Sequence, residues 1–410
     1  MDASPPFSPA SPGREHLPRL DAVRGIAILM VVLFHTCMFT PETPAEKVFS
    51  AFINAFSQGV PLFFVLSGFL ISTIVFEDWS KFGWTKYAQR RVAKIIPPFV
   101  LSLAFYALKD FRHAPVSQTA ATVLANLATL PNFTEHWRLL NPVSWSLLVE
   151  IHFYLLLPLL FLCWRAASPR HAERLTLACF LFIPPIFRAV NWLTPVGSIG
   201  ERFFLLCRFP CAMDFFAWGM LFSHLYRQYR NHAWLGAKAP GVMRAGLWLL
   251  PLFLALYTAL PLLLQVGTVL HKPAAFESMR LLICLATFGM LFCAWPQAQP
   301  GGVAGKIFDS RLLQYVGLVS YEWFLFHPAI IFSARYHLAK ALSIEGSIQS
   351  KDIGLLWFFL LSVVSVLLSF LICAGIYHWF SQPLLKAIKN FSPGKRTPGG
   401  AVPRVKVIKP

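Results

Sequence analysis

The first long apolar run of the chain, residues 20–36, reads LDAVRGIAILMVVLFHT. Its length is close to that of a helix crossing a hydrocarbon core roughly 30 Å thick. Runs of similar length recur along the chain. We predict ten membrane spans at roughly 22–40, 58–77, 95–110, 144–164, 175–191, 204–222, 246–264, 279–295, 313–333 and 354–378. The sequence therefore predicts an all-α integral membrane protein, a bundle of about ten transmembrane helices.

The composition excludes the common soluble classes. Of 410 residues, 56% are hydrophobic, 15% aromatic and only 13% charged, whereas soluble domains carry roughly 25% charged residues. A single soluble core, a disordered chain and a secreted disulfide scaffold are therefore excluded. All eight cysteines fall within predicted spans without CxxC or Cys/His metal spacing, so we expect small buried side chains and no metal site.

The charge indicates topology. The chain has 36 Lys and Arg against 18 Asp and Glu, a net charge of +18. With both termini in the cytoplasm, 23 basic residues fall in inside segments and seven outside, as the positive-inside rule requires. We expect anionic lipid contacts and no nucleic-acid binding. The predicted parts are a disordered cytoplasmic N-terminus (1–18), a transmembrane domain (19–390) and a basic disordered cytoplasmic tail (391–410).

Ionisable residues inside the spans are functional candidates, because burying them in lipid costs several kcal/mol. Arg24 and His35 are eleven residues apart, so one helical face carries both, about 16 Å apart along the axis. Asp21 lies one turn before Arg24 and can orient it. The alternative is a snorkelling arginine and a hydrogen-bonded interior histidine.

The fourth span places a carboxylate at a similar depth. Trp145 suits the outer interface, which puts Glu150 about 7 Å deeper. We predict that Glu150 pairs with His35, since a carboxylate fixes the tautomer of an imidazole and raises its basicity. A structural polar contact between helices is the alternative. In the ninth span, Glu322 and His327 are weaker candidates, with His327 near the predicted level of Glu150.

A basic cluster precedes the third span. Arg91 and Lys94 project from the same side of a helical turn, next to Arg90, where a phosphate-bearing ligand could dock. Ordinary positive-inside anchoring is the alternative. Ser67 and Gly68 in the second span are small enough to permit close approach of helices, and we assign Ser67 a structural role.

These segments together resemble the acyltransferase-3 family of bacterial integral-membrane acyltransferases, which includes O-antigen and exopolysaccharide acetylases. Arg24 and His35 match the family's Arg-x10-His signature, and GVPLFFVLSGFLI at 59–71 is similar to its second-helix pattern. Further matching patterns are Arg-x-x-Arg at 91–97, Trp-Ser-Leu-x-x-Glu at 145–150, and segments 215–219 and 319–328. Two departures are Lys94 in place of the second arginine and the segment Ser381-Gln382-Pro383, where relatives often have an acidic residue.

The resemblance implies transfer of an acyl group, usually acetyl, from cytoplasmic acetyl-CoA to a hydroxyl of a cell-surface or secreted glycan or glycolipid. It also implies a multi-pass protein of the bacterial inner membrane that needs no metal. We expect His35 to act as base or acyl relay, held by Glu150 and assisted by Arg24. The implied donor-binding residues are Arg90, Arg91 and Lys94, the substrate-binding residues Trp145, Ser146, Tyr321 and His327, and the structural residues Asp21 and Ser67.

Two other classes remain open from the sequence. A transporter of a small anionic or sugar substrate would also carry ionisable residues at mid-membrane. Transporters often contain two related halves, and no second copy of the Arg-x10-His or Trp-Ser-Leu-x-x-Glu segments is present. A non-catalytic membrane sensor or scaffold is the third class. Protein partners, the acceptor and the acyl chain length are not predicted.

Overall fold

The computed structural model describes residues 17–37, 41–77, 82–134, 138–164, 168–263, 273–295, 302–342 and 355–390. Across these ranges the regular structure is helical throughout. The α-helices are α1 Pro18–Thr36, α2 Pro44–Ala55, α3 Gly59–Glu77, α4 Trp84–Asp110, α5 Val116–Leu127, α6 Ser144–Trp164, α7 Pro169–Leu193, α8 Ile199–Cys207, α9 Phe209–Tyr229, α10 Ala233–Leu263, α11 Pro273–Leu291, α12 Gly302–Phe308, α13 Arg311–Ala341, α14 Leu355–Ile376 and α15 Gln382–Asn390. Short 3₁₀ turns cover Phe56–Gln58, Leu130–Asn132 and Phe292–Ala294, and a π-helical turn, Tyr377–Ser381, joins α14 to α15.

The chain is a multi-pass membrane protein, although the predicted number of ten spans is not confirmed. Each of the ten predicted spans overlaps at least one helix of the described ranges. Within the described ranges, seven helical segments are long and apolar enough to cross a membrane. They are Pro44–Glu77, Trp84–Asp110, Arg170–Leu193, Ala237–Leu263, Pro273–Leu291, Arg311–Ala341 and Trp357–Ile388. The orientation of the termini stays a prediction, and so does the disorder of residues 1–16 and 391–410, which lie outside the described part. At the end of the segment predicted to be disordered, residues 1–18, Pro18 is the first residue of α1.

Three predicted spans are not among the helices that are long and apolar enough to cross a membrane, and each has an identifiable reason. Helix α1 begins with three charged side chains, Arg19, Asp21 and Arg24, within its first two turns. In α6 the apolar stretch covers only Ser144–Leu160, less than a full crossing. Helices α8 and α9 meet at an angle of 50°, so they form either an eighth span broken at its centre or a re-entrant segment.

Glycines set the closest helix crossings of the bundle. A Cβ atom on Gly317 of α13 would overlap the backbone carbonyl of Asp21 in α1, and one on Gly25 of α1 would overlap the carbonyl of Leu313. Helices α3 and α9 approach each other in the same way, through Gly68 and Gly219. Small residues allow such close contact between membrane helices, where van der Waals packing drives association. The α1–α13 crossing fixes the position of the Arg24–His35 helix.

An ion-pair network with two buried arginines and a partly exposed Glu277 joins α7, α9 and α11. The Arg188 guanidinium donates to both carboxylate oxygens of Glu277, at 2.7 and 2.8 Å, and lies 3.0 Å from Asp214 Oδ2. Arg280 Nη2 donates to Asp214 Oδ1 at 2.5 Å. Arg188 and Arg280 both donate to the carbonyl oxygen of Cys211. Two cations and two carboxylates therefore balance where the three helices meet, as burial of charge requires.

Candidate active site

A cavity of about 360 Å³ lies between α1, α3, α4, α6 and α13. The π-helical turn and α15 complete its wall. Small-molecule sites typically occupy 300–1,000 Å³ and combine apolar walls with a few polar groups. Apolar residues such as Phe63, Phe64 and Phe324 form much of this wall, and the polar groups come from six α-helices and the π-helical turn. The cavity is therefore the candidate ligand site of the protein.

The charged residues of the cavity are mostly basic. Its wall includes four basic side chains and two carboxylates: Arg24, Arg91, Lys94, Lys386, Glu150 and Glu322. Arg24 donates to Asp21 of the preceding turn, an ion pair in which the aspartate is buried. The predicted orientation of Arg24 by Asp21 is therefore the observed arrangement. The excess of basic groups favours an anionic ligand.

Arg91 and Lys94 are available to such a ligand. They lie one helical turn apart on α4, and neither makes a hydrogen bond or an ion pair with any residue of the described ranges. The Arg91 guanidinium lies against the rings of Tyr87 and Tyr154, 5.7 and 5.4 Å from the ring centroids, and its Nε is buried without a partner. Cation–π contact holds the guanidinium in place while leaving its N–H groups unpaired.

Glu150 contacts side chains other than the predicted one. Ser67 Oγ donates to Glu150 Oε1 at 2.5 Å, and the Tyr154 hydroxyl, one turn further along α6, donates to the same oxygen. No hydrogen bond joins Glu150 to His35 across the described residues. The predicted His35–Glu150 pair is therefore wrong as a direct contact. Equal depth along the membrane normal does not fix the direction in which a side chain points, and α6 directs Glu150 towards α3.

His35 is paired with a second histidine. His327 Nε2 of α13 lies 3.2 Å from His35 Nδ1, and the two ring centroids are 5.0 Å apart. The same His35 Nδ1 lies 2.9 Å from the carbonyl oxygen of Val31, one turn earlier in α1. The close α1–α13 crossing explains the choice of partner, because it brings these two helices together along their length.

The histidine pair lies next to the cavity without lining it. Phe324 forms part of the cavity wall, and its ring centroid is 6.2 Å from that of His327. On the cavity side, Phe324 contacts Phe63 at 6.4 Å. The Phe324 side chain therefore contacts His327 on one side and forms part of the cavity wall on the other.

Seven of the twelve predicted site residues line the cavity: Arg24, Ser67, Arg91, Lys94, Ser146, Glu150 and Tyr321. Arg90 is exposed outside it. Trp145 packs against Phe64 and Phe203 behind the wall. His327 has no exposed surface, so the predicted direct contact with substrate is not made in this structure. The roles assigned to these residues stay predictions.

Tyr154 and Lys386 are among the residues of the cavity wall that the sequence reasoning missed. Tyr154 follows Glu150 by four residues, a spacing that places the two side chains on one helical face and could have indicated their hydrogen bond. Lys386 lies on α15 and was given no role in the sequence analysis. No pattern in the sequence brings α15 to the cavity, because the π-helical turn that directs it there has no sequence signature.

Comparison with known proteins shows one family over most of the chain. A family model described as an acyltransferase domain matches residues 17–374. The chain is 24% identical over 348 residues to a peptidoglycan O-acetyltransferase OatA of Listeria monocytogenes, covering 78% of this chain and 50% of that protein. It is 25% identical over 162 residues to an O-acetyltransferase OatA of Staphylococcus aureus, covering 35% of this chain and 24% of that protein. The chain thus spans about half the length of the Listeria relative, and no solved structure matches it.

Proposed function

The chain belongs to the acyltransferase-3 family, and we propose that it is a membrane-bound O-acyltransferase that moves an acyl group, acetyl in the simplest case, from acyl-CoA to a hydroxyl of a glycan or glycolipid. The relatives named O-acetyltransferases support the reaction class. The donor, the acceptor and the placement in the bacterial inner membrane are part of the proposal.

The observation that carries the proposal is the pair of unpartnered cations in the cavity. Coenzyme A carries several phosphate groups, and Arg and Lys are the side chains that bind phosphate through charge-assisted hydrogen bonds. Arg91 and Lys94 line the cavity without an ion-pair partner among the described residues, and Arg24 and Lys386 add positive charge to the same wall. The basic segments of the chain favour placing this end of the cavity at the cytoplasmic face, where acyl-CoA is found.

The acyl group has to travel from these cations towards His35. Arg24, one of the cations in the cavity wall, and His35 lie on the same helix, α1, about 16 Å apart along its axis. We assign the anionic part of the donor to the Arg91 end and the thioester to the end bounded by Phe63 and Phe324. The acceptor hydroxyl would approach from the opposite end, with His35 as its general base or as an acyl relay.

Replacing Arg91 by alanine should weaken donor binding. The loss of one charge-assisted hydrogen bond costs about 1.5–3 kcal/mol, so we expect KM for acetyl-CoA to rise roughly 10-fold or more with little change in kcat. The measurement is steady-state kinetics on the purified protein. Arg90→Ala is the matched control, because Arg90 is the neighbouring basic residue outside the cavity. Equal KM values for both variants and the wild type would leave Arg91 with a membrane-anchoring role only.

The experiment that tests the function is a comparison of surface and secreted glycans from cells with and without the gene. We expect one glycan class to lose the mass of an ester-linked acyl group, and that mass identifies both the acyl group and the acceptor. Purified protein supplied with radiolabelled acetyl-CoA and that glycan should restore the ester. Identical glycan masses in both strains would contradict the proposal.

Unpaired cations in a membrane cavity also fit a small anionic substrate that is carried across the membrane, which makes a transporter the second candidate. The two candidates differ in their products. A transporter would move a labelled anion into vesicles containing the purified protein and would form no new ester.

A further inference from the structure

The contacts of the histidine pair determine where its protons lie. His327 Nδ1 is 3.0 Å from the carbonyl oxygen of Trp323 and 2.9 Å from that of Phe324. A carbonyl oxygen can only accept a hydrogen bond, so His327 Nδ1 must carry the proton. In a neutral imidazole the other nitrogen then has only a lone pair. His327 Nε2, which faces His35, is therefore a hydrogen-bond acceptor.

The same reasoning fixes the tautomer of His35. Its Nδ1 faces two acceptors, the carbonyl oxygen of Val31 at 2.9 Å and His327 Nε2 at 3.2 Å. The His35 Nδ1–H group is thus shared between them. The lone pair of His35 lies on Nε2, which forms no hydrogen bond within the described ranges. The nitrogen that can take a proton from a hydroxyl group is therefore the free one.

We propose that His327 is the positioning residue of His35: it accepts the Nδ1–H of His35, holds the Nε2 lone pair available for catalysis, and stabilises the imidazolium that forms there. This inference rests on the proposed acyl transfer. The sequence analysis assigned the role of holding His35 to Glu150. Here that role belongs to His327, whose side chain has no exposed surface. A hydrogen bond from an ionised donor is roughly twice as strong as a neutral one, so the contact strengthens when His35 becomes protonated.

The acyl-transfer step needs no reactant other than the thioester, the acceptor hydroxyl and His35, because every proton that moves has a donor and an acceptor among them. The hydroxyl oxygen of the acceptor forms a bond to the thioester carbonyl carbon while its proton passes to His35 Nε2. The carbon–sulfur bond then breaks, and the departing sulfur of coenzyme A takes that proton. Throughout the step, the Nδ1–H of His35 remains hydrogen-bonded to His327 Nε2, and His327 Nδ1–H remains on the Trp323 and Phe324 carbonyl oxygens.

A second contact from α13 keeps the end of α1 in place. Arg335 Nη2 donates to the carbonyl oxygen of Thr36 at 2.7 Å and to Ser362 Oγ of α14, also at 2.7 Å. Arg335 is only 1% exposed. The residue after His35 is thus held by the same helix that carries His327. Weakening this anchor should affect the stability of the α1 end without removing the acceptor on His327.

Two amide replacements separate the positioning role from simple packing. An asparagine amide reaches about as far as His327 Nδ1, so His327→Asn keeps a donor for the backbone carbonyls and loses the acceptor for His35. A glutamine amide reaches about as far as Nε2, so His327→Gln can supply that acceptor again. With acetyl-CoA as the probe and water as the acceptor, we expect kcat for CoA release to fall about 10–100-fold in His327→Asn, within the range for general-base assistance. KM should be unchanged, and His327→Gln should recover to within a few-fold of wild type.

Ser362→Ala is the control, since it removes an acceptor of Arg335 and leaves both histidines intact. A second readout does not depend on activity: ¹⁵N NMR of histidine-labelled protein, with the His35 signal identified by its loss in His35→Asn. We expect the proton on Nδ1 of His35 in the wild type and in His327→Gln. Equal turnover in the three His327 proteins, or a wild-type proton on Nε2, would overturn the positioning role. A wild type that releases no CoA would contradict the proposed function, and the NMR result would still decide the tautomer.

Discussion

His35→Asn should slow acyl transfer by about 10²–10⁴-fold while the protein inserts and accumulates normally. The asparagine amide can still donate to the Val31 carbonyl as Nδ1 does, so the helix end keeps its hydrogen bond. What is lost is Nε2, the nitrogen that takes the proton. General-base assistance contributes about 10²–10⁴-fold to rate, and we expect kcat to fall by that factor in an acetyl-CoA turnover assay. His35→Ala should be equally inactive, because it lacks the same nitrogen.

The comparison of these two variants distinguishes catalysis from structure. If His35 only filled space and formed a hydrogen bond, asparagine would restore most of the activity that alanine loses. His113→Ala, in the exposed turn that follows α4, is the matched control for replacing a histidine and should turn over like the wild type. Turnover by His35→Asn at the wild-type rate would remove His35 from the chemistry.

Gly317→Ala should destabilise the protein and inactivate it together. The added methyl group would overlap the backbone carbonyl of Asp21, and backbone cannot rotate away as a side chain can. Overpacking typically costs about 1–3 kcal/mol. Because α1 would have to separate from α13, both the Arg24 end of the cavity and the His35–His327 contact should be disturbed. We expect a lower thermal midpoint in detergent, lower abundance in the membrane and loss of turnover.

Gly241→Ala supplies the control for this effect. Gly241 is also within a helix, and a Cβ atom there meets no other atom within 4 Å. Alanine in an open helical position is favoured over glycine by about 1 kcal/mol, so this variant should be as stable as the wild type or slightly more stable. If the thermal midpoint of Gly317→Ala equalled that of Gly241→Ala, α1 and α13 would be able to move apart at little cost in free energy, which would contradict this prediction.

Helix positions and much of the cavity follow from the sequence for a simple reason. A polar group in a long apolar run is rare and costly, so residues such as Arg24 and Glu150 stand out without a structure. Their depth follows from the helical rise per residue. The place of the basic turn containing Arg91 and Lys94 before a span left ligand binding and membrane anchoring both open, and its predicted donor-binding role came from the family resemblance.

The sequence does not predict which polar groups pair with each other. It gives the depth of a residue in the membrane, and the depth leaves the direction of its side chain undetermined. Glu150 and His35 share a predicted level, yet Glu150 contacts Ser67 and Tyr154, and His35 contacts His327. That choice depends on which helices pack closely, and the α1–α13 crossing depends on where Gly25 and Gly317 meet backbone carbonyls. The number of spans was uncertain for a related reason: charges at the start of α1 and the 50° bend after α8 interrupt the apolar signal.

The ion-pair network of α7, α9 and α11 bears on how the protein is synthesised. Glu277, a counter-charge of Arg188, comes 89 residues later in the chain. Helix α7 therefore leaves the ribosome long before Glu277 has been synthesised. An isolated arginine costs about 2.5–3.5 kcal/mol at the centre of a membrane helix on translocon-based scales and less towards its ends, and Arg188 lies five residues before the end of α7. We therefore expect α7 and α9 to remain beside the insertion machinery until α11 is translated, and the three helices to enter the lipid as one unit. Nascent chains that stop before α11 should be targets for membrane quality-control proteases.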